Sequence, residues 1–221
     1  MKLKKQGIFS FALLSALAAT GSQALAQTAM VAELGTISGQ TLNLTLPVAN
    51  THDYFTGSQN ISVNGASFLA FCIDPFQYAS GSPAQYNVYN SLTSLFNVTR
   101  ANNITKLYSQ AYAGTTGNNQ NSAAFQLALW ELANDDGSLS TGGVKATNLT
   151  TGAAVAATTM LFNVANSAAG ATQYTFNLYA HPTNQDFLLS VTAVPEPETY
   201  AMLLTGIGLL GAVARRRKQQ G

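Results

Sequence analysis

The chain has 221 residues, 47% of them hydrophobic and only 9% charged, with a formal net charge of +1 and a single cysteine. That length holds one domain plus targeting segments, and one cysteine excludes an intramolecular disulfide framework. Most cations sit at the two ends, so the interior keeps Arg100, Lys106 and Lys145 against seven carboxylates, a balance that argues against nucleic-acid binding.

The chain opens with Lys2, Lys4 and Lys5, then an apolar run over residues 8–19, then Ala24-Leu25-Ala26. That is the tripartite pattern of a secretory signal, here 1–26, handed to the Sec machinery and cut between Ala26 and Gln27. The exported body is then 27–193. Strict alternation over residues 41–46 predicts a strand, paired across a turn at 35–40 with another at 30–34. Residues 58–63 and 67–73 predict a hairpin turning at Asn64-Gly65, with Pro75 ending its second strand. Helical spacing then predicts helices over 100–113, over 122–134 with Asn121 or Ser122 as the cap, and over 153–169. Two closing strands are expected at 173–180 and 186–194. Strands, then helices, then strands predict an α+β body: an antiparallel sheet or sandwich with an inserted group of helices.

The tail has three parts in order: Val194-Pro195-Glu196-Pro197-Glu198, an uncharged run over 200–214, and Arg215-Arg216-Arg217-Lys218. At about 1.5 Å per residue a helix over 200–214 is a short transmembrane segment, and the cation cluster stays on the cytoplasmic side. Two prolines keep the preceding segment extended. This arrangement resembles the PEP-CTERM protein-sorting signal of Gram-negative bacteria, here 194–218, with Pro195, Glu196 and Pro197 in the motif position and Arg215, Arg216 and Arg217 as the basic stop. The resemblance implies recognition by an exosortase-type protease, a transient stay in the inner membrane, and delivery to the cell surface or an exopolysaccharide matrix.

A lone cysteine in an exported body needs a use: a buried thiol, an intermolecular bridge or a nucleophile. Cys72 sits in Phe71-Cys72-Ile73-Asp74-Pro75, and 54 residues on stands Phe125-Gln126-Leu127-Ala128-Leu129-Trp130. The two segments resemble the paired motifs of the thioester domain of bacterial surface adhesins. Cys72 matches the thiol, Gln126 the carboxamide, and Ala128 and Trp130 their counterparts, whereas Phe125 replaces a threonine and Leu129 an isoleucine. The resemblance implies a Cys72–Gln126 internal thioester shielded by Trp130, opened once by an amine-bearing target. The thioester's oxyanion is then expected to face the helix N-terminus. Ordinary packing of Cys72 and Gln126 in the core remains the alternative, in a non-reactive structural or carbohydrate-binding matrix protein.

Other constellations are sparse. His52 and His181 are isolated, Asp135-Asp136-Gly137 has the form of a turn after a helix, and neither a metal nor another cofactor is expected. No nucleophile elbow or phosphate loop occurs. A polysaccharide hydrolase is the remaining class, with Asp53, Asp74 and Glu131 as its only candidate acids; the expectation is a protein that is not an enzyme.

Overall fold

The computed structural model describes residues 27–46, 49–168 and 174–193, together with Thr205 and Ile207. The secretory segment and the sorting tail, including Ala26, Pro195, Glu196, Pro197 and Arg215 to Arg217, lie outside the described residues apart from those last two positions. The elements run in the order β1 (Gln27–Leu46), β2 (Ala49–Val63), β3 (Ala66–Cys72), β4 (Ala84–Tyr89), α1 (Val98–Ala111), α2 (Asn119–Asn134), β5 (Lys145–Ala146), α3 (Gly152–Asn166), β6 (Tyr174–Ala180) and β7 (Phe187–Ala193). The architecture is α+β, with one large antiparallel sheet and three helices inserted between β4 and β6.

The strands follow the order β2-β3-β7-β6-β4-β1-β5, and a further pairing of β1 with β2 closes the circuit. Closure comes from the length of β1: its first residues pair with β4, while Val31 to Leu46 pair with β2. A sheet closed on itself leaves fewer unpaired edges than a flat one. The expected turn at 35–40 is absent. Gly35, with φ +130°, sits at a register shift inside a continuous strand, and a second shift falls between Thr36 and Ser38. Glycine there serves bulges that bend a long strand rather than a reversal of the chain.

The Asn64-Gly65 hairpin forms as its sequence dictates. Val63 pairs with Ala66 across the two residues, whose φ values are +51° and +88°, the signs a two-residue primed turn requires. The helices start and stop by ordinary capping. Asn97 accepts from Arg100 N and Thr151 from Ala154 N at the starts of α1 and α3. α2 begins earlier than its apolar periodicity suggests, because Asn118 is the cap and accepts from Asn121 N. Ser122 is thereby freed for another partner.

α2 is the centre of the body. Every residue from Ser122 to Ala133 is buried, with the strands on one side and α1 and α3 on the other, the condition in which a helix is apolar nearly all round. Phe125 docks on Phe71 at 4.7 Å between ring centroids and on Tyr108 at 4.9 Å. These tilted and edge contacts tie α2 to both β3 and α1.

β1 and β2 approach closely at the Gly39↔Gly57 pair, where a Cβ on either glycine would meet the other strand's backbone. A Cβ on Gly57, whose φ is +147°, would run into the Ser38 carbonyl and the Gly39 backbone. Gly57→Ala is therefore expected to cost about 3 kcal/mol, measured by denaturant unfolding, whereas Gly117→Ala, with open space around its Cβ position, carries only the strain of its positive φ.

Candidate functional site

β3 reaches Cys72 with a partner on one side only. Cys72 pairs with Phe187 of β7, and the next N–H, that of Ile73, donates to the Asp186 carbonyl at 2.9 Å. Backbone groups alternate along a strand, so the N–H and C=O of Cys72 point the other way, toward β2. There the β2–β3 register ends at Gln59↔Ala70. α2 enters where the two strands part. Ser122 Oγ accepts from Ser58 N at 3.0 Å and donates to the Ser38 carbonyl at 2.7 Å.

One turn later Gln126 closes the gap at Cys72. Its Oε1 accepts from Cys72 N at 3.0 Å and its Nε2 donates to the Cys72 carbonyl at 2.6 Å. The carboxamide thus stands in for a missing strand, and both of its ends are bonded to the residue that carries the thiol. At the far end of α2, Asn134 Nδ2 donates to the Ile73 carbonyl at 2.7 Å. Residues 122, 126, 130 and 134 form a single i, i+4 ridge; Ser122 stitches α2 to the middles of β1 and β2, and Gln126 and Asn134 stitch it to the end of β3.

Cys72 and Gln126 are each 1% exposed. Burial pushes the Cys72 thiol well above its ordinary value, and the charges of Glu33 and then Asp74 push it further. The resting group is therefore a neutral thiol rather than a thiolate. The helix N-terminus plays no part at this position, because Gln126 lies two turns inside a helix that begins at Asn119. The donor aimed at Oε1 is the backbone N–H of Cys72 itself, which differs from the oxyanion arrangement expected from sequence.

Trp130, 3% exposed, is the fourth member of the ridge and lines a cleft of about 450 Å³ together with Glu33, Asp53, Tyr54, Gln59 and Gln77. Cys72 and Gln126 do not line it. The indole is thus the α2 side chain that meets the cleft, one turn from the buried pair. Tyr54 Oη, Gln59 Oε1, Gln77 Oε1 and Trp130 Nε1 are buried without hydrogen-bond partners, and all four residues line this cleft. Sequence reasoning missed Tyr54, Gln59 and Gln77, since nothing in their spacing marks them.

Of the acids considered for a hydrolase, Asp53 lines the cleft, whereas Asp74 and Glu131 do not. Glu131 is fully buried and is pushed up to about 8, first by burial and then by Asp135 and Asp136.

The chain's tail carries the signal of an exported surface protein. Residues 193–218 match the family described as PEP-CTERM protein-sorting motif, which implies export, processing by an exosortase-type system, and a membrane-anchored precursor before surface display. Among the described residues no helix is long and apolar enough to cross a membrane.

The body is similar in shape to the N-terminal thioester domain of a surface protein from Clostridium perfringens, at 12% identity and a TM-score of 0.44, covering 75% of this chain and 100% of that one. It is likewise similar to the N-terminal domain of the Streptococcus pyogenes pilus tip adhesin Cpa, at 11% identity and a TM-score of 0.44, covering 72% and 98%. Likeness at this level assigns no activity to the chain. No curated protein matches it.

One pH dependence follows from the strand opposite Cys72. Asp186 is raised to about 6 chiefly by burial, against the opposing hydrogen bond from His181 N, with Asp74 adding to the rise. A carboxyl whose folded value exceeds its unfolded one takes up a proton on folding. Its contribution to stability is complete below about pH 4 and is lost as pH rises through 6. Asp186→Asn keeps an acceptor for His181 N, so it is expected to stabilise the protein at pH 7 and to flatten the dependence of Tm on pH between 4 and 7.

Proposed function

We propose that this is an exported covalent adhesin, carrying an internal thioester between Cys72 and Gln126 and performing no turnover. The observation that carries the reading is the double hydrogen bond from the Gln126 carboxamide to the backbone of Cys72. A buried glutamine needs partners, but here both partners belong to the chain's one cysteine.

In the bond-forming step Cys72 Sγ attacks Cδ of Gln126, and the Cδ–Nε2 bond breaks. The thiol proton leaves with Nε2 as ammonia. Charge building on Oε1 falls on the Cys72 N–H, already in hydrogen-bonding position. Fixing both groups in one fold supplies the proximity that an unactivated amide requires, since the neutral thiol offers little intrinsic reactivity.

A primary amine on a target then attacks Cδ, forming an amide and returning Sγ to the thiol. The cleft at Trp130 is the approach for that amine, and Glu33 and Asp53 on its wall suit an ammonium-bearing ligand. Trp130 keeps water off the thioester in the meantime. The tail supplies the address: Pro195, Glu196 and Pro197 are read by the exosortase-type protease, with Arg215, Arg216 and Arg217 holding the precursor in the inner membrane.

Intact mass tests the chemistry on the protein as recovered from its cells. It is expected to lie about 17 Da below the value for its own termini, the mass of ammonia lost. Methylamine should add its own mass and free one thiol, Cys72→Ala should remove the deficit, and Trp130→Ala should hasten hydrolysis. A mass equal to the sequence value would leave a hydrogen-bonded Cys72–Gln126 pair in a non-reactive matrix protein. For the address, replacing Pro195, Glu196 and Pro197 together by alanine is expected to hold the chain in the membrane fraction, read by fractionation; unchanged release would remove the motif from the sorting step.

A further inference from the structure

Beyond the cleft, α2 ends among carboxylates. Glu131, Asp135 and Asp136 bring one oxygen each to within 4.8 Å of one another, a spread that metal–oxygen distances of about 2.3–2.6 Å bridge. The loop that follows is folded onto them. Asp135 Oδ2 accepts from the N–H groups of Gly143 and Val144 at 2.6 Å each. Asp136 accepts from Ser138 N at 2.9 Å and from Thr141 Oγ1 at 2.8 Å. Gly142, with φ +74°, lets the chain close this tightly, because a Cβ there would run into the Asp135 carboxylate.

An acidic cluster alone is a common surface feature, but this one has a buried member with an oxygen left over. Glu131 is 0% exposed. Its Oε2 accepts from Gly137 N and Ser138 N at 3.2 Å, while Oε1 is buried without a partner. A carboxylate oxygen in that position needs a cation or a donor. Arg100 does not provide one, since its guanidinium is directed to the carbonyl oxygens of Ala133 and Asp135. Three acids at a helix C-terminus also face the negative end of the helix dipole, which adds to the pull on a cation.

We infer that Glu131, Asp135 and Asp136 bind one hard divalent cation, calcium by size and by the all-oxygen donor set, and that the ion clamps the 135–144 loop to the end of α2. Calcium takes carboxylate oxygens in flexible geometry, and extracellular modules bind it with dissociation constants of about 0.1–1 mM. The clamp acts on the helix that carries Gln126 and Trp130, since Glu131 directly follows the indole. It also fixes the approach to β5, which pairs with β1 at Leu44 and Thr45.

The test is calcium titration of the chelator-washed full chain, by calorimetry and by thermal unfolding. The expected result is one ion per chain and a Tm that rises with calcium. Asp136→Asn, at an exposed position, should weaken binding by about tenfold or more, and Glu131→Gln should abolish it. Two results would overturn the inference: a chain folded by circular dichroism whose heat and Tm do not respond to about 10 mM calcium, or a response that survives unchanged in both variants.

Discussion

The structure turns on how the open side of one strand end is satisfied. Where β2 leaves β3, the N–H and C=O of Cys72 would be buried without partners, a cost comparable to a lost hydrogen bond at each group. The Gln126 carboxamide supplies a donor and an acceptor in the right order. In the unreacted chain, both groups are met by one helix side chain.

The rest of the body holds that helix in place. α2 is buried along nearly its whole length, so its position is set by packing on all sides: Phe125 between Phe71 and Tyr108, and Ser122 between the backbones of β1 and β2. Interiors this dense tolerate little displacement. A helix that cannot shift holds the Gln126 carboxamide against the backbone of Cys72. The low charge of the chain fits the same design, because long charged side chains would have to be kept out of such a core.

Much of this was legible in the sequence, and the misses have physical causes. Asn64-Gly65 announces its turn because few other residues adopt two successive positive φ values, and Cys72 stands out by being alone. The amphipathic spacing of α1 and α3 set their positions to within a few residues. By contrast, glycines at 35 and 39 look the same whether they reverse a chain or bend a strand, and the choice depends on β2, which residues 49–57 disguise with polar and aromatic side chains. β4 was passed over although Ala84, Tyr86 and Val88 alternate with Gln85 and Asn87. Asn118 rather than Asn121 caps α2, because in a helix buried on every side the first turn is polar and carries no periodicity. The acidic group at 131–136 was invisible as a cluster, since Glu131 belongs to a helix and the aspartates to a loop, and only the fold turns them toward each other.

The closing strand has a mechanical meaning. β7 ends at Ala193, where the sorting tail begins, and it lies between β6 and β3 with Phe187 opposite Cys72. A pull on whatever follows Ala193 therefore runs along β7 and loads its rungs to β6 in shear, all at once instead of one by one. The same strand is paired with the end of β3 at Phe71 and Cys72. Such a load would reach the strand that carries Cys72 through a few residues of backbone, leaving the helices and the β1–β2 ribbon largely outside the line of force.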